Sequence, residues 1–558
     1  MRLHRSKPGF CLGNRVSEAL PRNPVSKAET GFREGYVLIA VLIVIVVLTL
    51  AAYQFTELMT AEYRASVRTA DAAQARHAAV SGVHYAAALL ANPGSYYGDL
   101  AGDPQAEGAF PEQTVRPGRN PRSQARFCLV AVVSNGSGSY EPRYGAVSDE
   151  GGKLNINALI QLDPSGELLA AALNVLAKQT NNPYLTSDVI DAIVDWVDPD
   201  DDARTGGAES SYYVSNPAGG YRAKNGPLNS LDELLLVKGV TPQLLYGNDR
   251  NRNGQADDDP NGSQTFDRGI ADFLTVYGRE LNLDAVGVLR ENVNESEDLA
   301  GLYQRLTARV GADLASYIMA YKIFSVSTVS ATVQQPANTL QGSIGDLTTA
   351  VQAALDAGTA TNKKRLKSLL DLRNTRITLP KVAGAAADAP TVIVFSPLSD
   401  ATQLPLLLGK LLDSTTTTTL VEMTPRININ TASRETLMAL TAFAGSTSVG
   451  STSLGFSEAD VESILSKRVG LNPADPATLT GAWVLTDAGM SPDVFKLIEK
   501  YITGRSMVYR IHSIGYFGEG GPTARVEAVI DTNQGAPRIL YFRDMTDLDT
   551  PRAFDPPR

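Results

Sequence analysis

Cysteine and histidine are nearly missing from this 558-residue chain, which holds Cys11 and Cys128 of the first and His4, His77, His84 and His512 of the second. So few soft ligands cannot build a Cys/His zinc site, and two cysteines do not make a disulfide scaffold. Positive charge is also in deficit. Fifty Lys and Arg against 60 Asp and Glu give a net charge of −10, the reverse of a chain built to neutralise phosphates. Mean hydropathy is near zero at −0.10, which excludes a polytopic membrane protein; 43% hydrophobic residues exclude a wholly disordered one. Catalytic signatures are lacking too: there is no G-x-S-x-G elbow, Walker A loop, G-x-G-x-x-G or H-E-x-x-H. An assembly or binding role is expected rather than an enzyme. The length is enough for about three or four domains.

What is present begins at the N-terminus. Residues 1–35 hold seven basic and three acidic side chains, and the next 21, Tyr36 to Thr56, contain no charge, proline or glycine. At about 1.5 Å per helical residue such a run crosses a hydrocarbon core of about 30 Å. Basic residues stay on the cytoplasmic side, so the chain after Thr56 is expected outside. The helical pattern continues past the membrane: from Glu57 to Ala91 the chain is rich in alanine, and Asn92-Pro93-Gly94 then ends it.

A basic leader ending in Gly35, an apolar helix opening at Tyr36 and an exported body resemble the type IV pilin superfamily. The resemblance implies cleavage by a prepilin peptidase between Gly35 and Tyr36, methylation of the new terminus, and an inner-membrane anchor with a periplasmic head. Cleavage after Gly31 would instead leave Arg33 and Glu34 in the membrane helix, which is costly. Most pilins carry Glu at the fifth mature position. Ala40 stands there here, which is similar to the tip subunits of type II secretion pseudopili, the GspK family.

Past the helix, Arg126 to Val133 reads as a strand, 134–139 as a turn and Arg143 to Ser148 as a second strand. Val508 to Tyr516, Ala524 to Asp531 and Arg538 to Phe542 are three more candidates at the far end. Between them the pattern is mostly helical. The expected fold is α+β and pilin-like, with a long N-terminal transmembrane helix and a split antiparallel sheet. A large, mainly α-helical insertion of SAM-like or helix-hairpin-helix-like type interrupts the sheet; a separate terminal β unit is the alternative. The expected order is a leader over 1–35, the helix over 36–92 and a first head segment over 93–151. A helical insertion over 152–324 follows, then a Ser/Thr/Ala-rich stretch over 325–425, a second helical module over 426–505, closing strands over 506–546 and a tail over 547–558.

Inside the insertion, Lys153–Ala158, Ile190–Asp202, Gly206–Tyr213, Lys224–Val240 and Arg426–Ala432 resemble GspK in order, as does His512–Phe517 at the close. The resemblance implies a minor pseudopilin at the pseudopilus tip, which starts and caps the fibre. Its implied partners are the smaller minor pseudopilins of GspI and GspJ type. Ile427–Ala432 (INxNTA) also opens helix-hairpin-helix modules that present backbone N–H groups to phosphate. A DNA-binding competence protein is therefore a second reading, and a type IV pilus tip subunit a third. Nucleic acid is not expected, because the hairpin between Phe443 and Gly455 is too long for a tight phosphate nest and Lys467 and Arg468 are the only basic pair nearby.

Two acidic stretches suit calcium, a hard cation that takes about six to eight oxygen ligands. Asp195, Asp198, Asp200, Asp201 and Asp202 crowd a predicted helix C-terminus, where the macrodipole disfavours negative charge, and Glu209 follows closely. Asp198, Asp200, Asp201, Asp202 and Glu209 are the candidate ligands. The second stretch, Asp249, Asn251, Asn253, Gln255, Asp257 and Asp259, alternates oxygen-bearing residues around Gly254 as an EF-hand loop does. Pro260 occupies the place of the closing Glu, so Asp258 or Asp259 would have to substitute. His77 and His84, seven apart, are too far apart on the helix for a one-turn metal pair.

Overall fold

The computed structural model describes residues 34–548, apart from 119–122, 135–139, 216–219, 253–255, 258–266, 268, 330–337, 362–363, 382–385, 387–388, 444–445, 450–451, 473–475, 519–520 and 534. It comprises two units, residues 1–69 and 70–558. In the first, every side chain from Tyr36 to Thr69 is exposed, as expected of a helix whose apolar surface is meant for lipid or for neighbouring helices. This is the one described helix long and apolar enough to cross a membrane. Helix α1 runs over Glu34–Ala91. Asn92 ends it and caps the next short helix, its side-chain oxygen accepting from the Gly94 N–H at 2.8 Å.

From Ala70 onward α1 belongs to the head. Ala79, Val83, Ala86 and Leu90 follow helical spacing and are buried. They meet alternate residues of an antiparallel sheet: Phe127 and Leu129, Tyr509 and Ile511, then Val526, Ala528 and Ile530. The sheet has seven strands: β1 (Gln113–Arg116), β2 (Ala125–Ser134), β3 (Tyr140–Tyr144), β4 (Ser148–Asp149), β5 (Val508–Phe517), β6 (Thr523–Asp531) and β7 (Arg538–Asp544). Their order is β1-β2-β5-β6-β7, with β3 on β2 and β4 on β5. Ile514 lies opposite Cys128 and His512 opposite Glu527. Strands nearly 400 residues apart in sequence thus share one sheet, as the split-sheet expectation requires.

Helix and sheet approach very closely. A Cβ on Gly515 would lie 2.5 Å from the Ala79 nitrogen and nearer still to the Ala75 carbonyl oxygen. On the helix side, a Cβ on Gly82 would lie 2.8 Å from the Phe127 ring and closer to the Ser513 hydroxyl. Glycine at these two positions is what allows the contact.

The chain leaves the head after β4 and returns at β5. These strands pair directly, with Tyr509 opposite Asp149, and the Glu150 N–H donates to the Val508 carbonyl at 3.0 Å. Between them, the described residues share a core that runs from Leu154 to Ile502. Short parallel ladders stitch it together, Leu154–Asn155 with Leu274–Thr275 and Ile427–Asn428 with Ile502–Thr503. The insertion is not only helical. Thr339–Gln341, Thr391–Phe395, Thr375–Thr378 and Ser325–Thr328 form a four-stranded sheet in that order, beside the helix Ile344–Asp356. Leu347, Ile377, Val394, Leu404 and Leu408 carry this Ser/Thr/Ala-rich stretch into the shared core.

Candidate metal centre

The helix Ser187–Val197 starts on Thr186, whose hydroxyl accepts from the Val189 N–H, and buries Ile190, Ile193, Val194 and Trp196. Trp196 stands edge-on to Tyr213, ring centroids 5.0 Å apart, and that tyrosine accepts from the Lys238 N–H at 3.1 Å. This packing fixes the two chain segments that carry the acids. Asp198 leaves the helix in extended conformation, and Glu209 sits just before the short helix Ser210–Val214.

Asp198, Asp200 and Glu209 each bring an oxygen within 4.8 Å of the others. Asp198 and Glu209 are 3% and 2% exposed, yet Asp198 Oδ1 and both Glu209 oxygens have no hydrogen-bond partner. Burial first, then the charges of Asp195, Asp198 and Asp201, pushes Glu209 up to about 8. Burial and the neighbouring Asp200 and Asp195 push Asp198 up to about 6. Arg204 is the nearby positive charge and only partly offsets the effect on Asp198; carboxylates crowded together at a buried site are costly, and a cation among them removes both penalties.

Asp201 and Asp202 are not part of this trio. Asp201 accepts from the Asn225 side chain at 3.1 Å, and the Asp202 N–H donates to Asp200 Oδ1 at 2.9 Å; both acids are exposed. Asp195 is fully buried and accepts from the Arg204 N–H at 3.1 and 3.3 Å. It is held against Gly207, where a Cβ would lie 2.6 Å from its carboxyl carbon.

In the second loop Asn251 Oδ1 and Asp257 Oδ1 are buried without partners. Asp249 is buried, and Asp257 Oδ2 accepts from the Arg250 N–H at 2.8 Å. Asn253, Gln255 and Asp259, with Gly254 and Asp258, lie outside the described residues.

The loop also carries a residue that spacing alone treats as filler. Arg252 has φ +56° and lays its guanidinium on the Tyr246 ring, 4.8 Å from the centroid. It donates to both oxygens of Glu527 at 3.0 and 2.8 Å. Arg510 bonds the same carboxylate and also that of Glu150. Both acids are fully buried, and the arginines hold them well below the usual carboxylate range. His512 lies alongside, pushed down to about 3 chiefly by burial. This charged layer seats the inserted body on the sheet face opposite α1.

The INxNTA asparagines are spent on chain bracing. Asn430 donates to the Thr478 and Gly504 carbonyls at 2.9 and 2.6 Å and accepts from the Trp483 indole at 3.0 Å. Asn428 donates to Asp149 at 2.7 Å. Arg468 turns inward onto the Ala432 carbonyl at 2.6 Å. The segment after the first helix forms a β-ribbon, Ser446–Val449 with Thr452–Gly455; residues 450–451 between its strands lie outside the described residues.

A single apolar helix leads into an α+β head in which a large body is inserted between two paired strands. Residues 152–246 match the family model described as type II secretion system (T2SS), protein K, so the inserted body opens with a segment of that family. The matched segment holds Asp198, Asp200 and Glu209. Among solved structures the chain is similar to one from the GspK-GspI-GspJ complex of the enterotoxigenic Escherichia coli type 2 secretion system. Identity is 13% over 88% of this chain and 98% of that one, with a TM-score of 0.33. No curated protein matches the sequence.

Proposed function

We propose that this chain starts and caps the pseudopilus of a type II secretion system. The observation that supports this most is the protein K segment at 152–246, inserted into a head that rides on one membrane-length helix. In this reading a prepilin peptidase cuts between Gly35 and Tyr36, and Tyr36–Thr56 anchors the subunit in the inner membrane with its head in the periplasm. The same helix then packs beside other pseudopilin helices as the fibre is extruded. Ala40 at the fifth mature position carries no carboxylate, so the subunit has nothing with which to neutralise the amine of a subunit above it. That suits the first one in. The broad inserted body leaves no room for another head on top, and the role is assembly rather than chemistry. Partners of GspI and GspJ type, those named in the Escherichia coli complex, complete the tip.

Calcium is proposed at Asp198, Asp200 and Glu209. The donors are hard oxygens, and three of their buried atoms lack any other partner. Asn251 and Asp257 offer two more unpartnered oxygens for a second ion. Bound calcium would tie the Asp198 and Glu209 segments together and neutralise their repulsion.

The test is a pull-down of the C-terminally tagged chain from inner membranes of its own host, with mass spectrometry of its N-terminus and its partners. A mature chain starting at Tyr36 with two small pilin-like partners is expected. An uncleaved terminus without such partners would overturn the proposal.

A further inference from the structure

Charge is unevenly divided within the inserted body. Residues 152–324 hold 25 acidic and 14 basic side chains, whereas 357–387 hold seven basic and one acidic. That one acid, Asp371, is already taken by Lys496 at 3.0 Å. Arginines elsewhere in the body meet carboxylates, as Arg305 does Glu291, Arg309 does Asp284 and Arg426 does Glu280. Lys364, Arg365, Lys367 and Arg376 make no ion pair with a described carboxylate. The first three are exposed and Arg376 is half-buried.

Three of these bases gather on one strand. Ser325–Thr328 is an end strand of the four-stranded sheet, so one of its sides has no neighbouring strand. Its register sets Ser327 opposite Arg376 and Val326 opposite Ile377, and the Val329 N–H donates to the Asn374 carbonyl at 2.8 Å. Bonded and non-bonded pairs alternate along an antiparallel ladder. Ser325 and Ser327 therefore aim their backbone groups at the inner strand, and Val326 and Thr328 aim theirs at the open side.

Lys364 crosses that open side. Its Nζ donates to the Val326 carbonyl at 3.4 Å and stands over the Tyr321 ring, 5.8 Å from the centroid. Arg365 follows along the same join, near enough to Lys322 to add to the burial that pushes this amine down to about 8. Arg376 reaches over from the inner strand, its Nε donating to the Ser327 hydroxyl at 3.0 Å. A single lysine suffices to guard an edge strand against unwanted pairing. A group of unpaired bases in an otherwise acidic body does more: its positive field selects an acidic partner.

We propose that an acidic polypeptide segment in extended conformation docks along Ser325–Thr328, pairing with the open edge at Thr328 and placing its carboxylates on Lys364, Arg365 and Arg376. Strand addition joins main-chain bonds to side-chain selection in this way, and guanidinium groups hold carboxylates by paired hydrogen bonds. The apolar side chain exposed beside the strand is Val329, too small to wedge into a bilayer, while Ser325 and Ser327 offer directional hydrogen bonds. Both features favour a polypeptide over an anionic membrane surface.

The test uses the full chain in nanodiscs of neutral phosphatidylcholine, with empty nanodiscs as blank, and the fluorescence anisotropy of labelled peptides of alternating Glu and Thr or alternating Gln and Thr. The Glu peptide is expected to bind about tenfold more tightly, the size that three exposed ion pairs together supply, and to lose that advantage as salt rises. Lys364→Gln/Arg365→Gln/Arg376→Gln should abolish the preference. Lys178→Gln/Arg222→Gln/Lys410→Gln, which removes the same charge from exposed positions elsewhere, should keep it. A preference that survives the first variant, or is lost in the second, overturns the proposal. The Glu peptide methylated at every backbone nitrogen keeps its charge but cannot donate to a strand, and should bind more weakly; undiminished binding would overturn the strand pairing. Tighter binding to phosphatidylglycerol vesicles than to the Glu peptide, lost in the first variant, would assign the surface to a membrane instead. Equal binding of the Glu and Gln peptides by the unaltered chain, or binding of neither, overturns the proposal without reliance on any variant's folding.

Discussion

Replacing Gly515 by alanine should loosen the joint between α1 and the sheet. An added methyl in a packed core costs about 1–3 kcal/mol. The upper end is expected here, because the obstructing atoms are the Ala75 carbonyl and the Ala79 nitrogen, which the hydrogen-bond ladder of α1 holds in place. Gly82→Ala meets a different obstacle, the Ser513 hydroxyl and the Phe127 ring edge. Side chains can give way or be removed. Ser513 Oγ is buried without a partner, so Ser513→Ala alone should be nearly neutral. The double variant Gly82→Ala/Ser513→Ala should then recover about 1 kcal/mol of what Gly82→Ala loses, a coupling of ordinary size for touching residues. Both tryptophans, Trp196 and Trp483, lie in the inserted body's core, so fluorescence would miss the change. The assay is hydrogen–deuterium exchange of peptides covering 125–134 and 508–517, with Gly98→Ala as a control where a Cβ meets nothing within 4 Å. Unchanged exchange in Gly515→Ala, or no relief of Gly82→Ala by Ser513→Ala, would refute the close-approach argument.

Three further outcomes are expected. Chelation with EDTA should lower the melting temperature of the chain, and Asp198→Asn/Glu209→Gln should abolish most of that response; equal sensitivity in both proteins would count against calcium at this trio. Glu150 and Glu527 have folded pKa values held below their ordinary 4.5, so the unfolded chain binds more protons as pH falls. The stability they contribute is full above that value and lost progressively below it. Glu527→Gln should therefore cost about 3–5 kcal/mol near neutrality, since it leaves Arg252 and Arg510 short of a counter-charge. It should also flatten the acid limb of a melting-temperature profile; an unchanged limb would exclude Glu527 as its source. Finally, Gly35→Val should leave the leader attached by intact mass, whereas the unaltered chain should begin at Tyr36; a start at Phe32 would move the cleavage site.

The parts legible in the sequence are those whose signal is local. Twenty-one uncharged residues announce a membrane-length helix, and the alternation in 126–133, 508–516 and 524–531 announces strands to within a residue or two. That these strands share one sheet follows only from their need for partners, and the ladder between Ile514 and Cys128 shows how that need is met. The sheet within 325–395 escaped because its strands are three to five residues long and set among Thr and Ser. Their membership in the core comes from scattered leucines with no period of their own. At the acidic cluster, composition marks the stretch, and the fold decides which carboxylates come together, Asp198, Asp200 and Glu209. Whether Asp201 joins Asp200 depends on Asn225, 24 residues onward. Arg252 gave no sign at all, since the carboxylate that explains it lies 275 positions away.

The short distance between the end of β4 and the start of β5 bears on how such a chain can change over time. Because Asp149 and Tyr509 already face each other across a ladder, the seven-stranded sheet would stay closed if the intervening body were shortened, lengthened or exchanged. The body behaves as a cassette plugged into one hairpin. Mutational drift in its outer loops is decoupled from the packing of α1 on the sheet, provided the charged seat around Glu527 and Arg510 is kept.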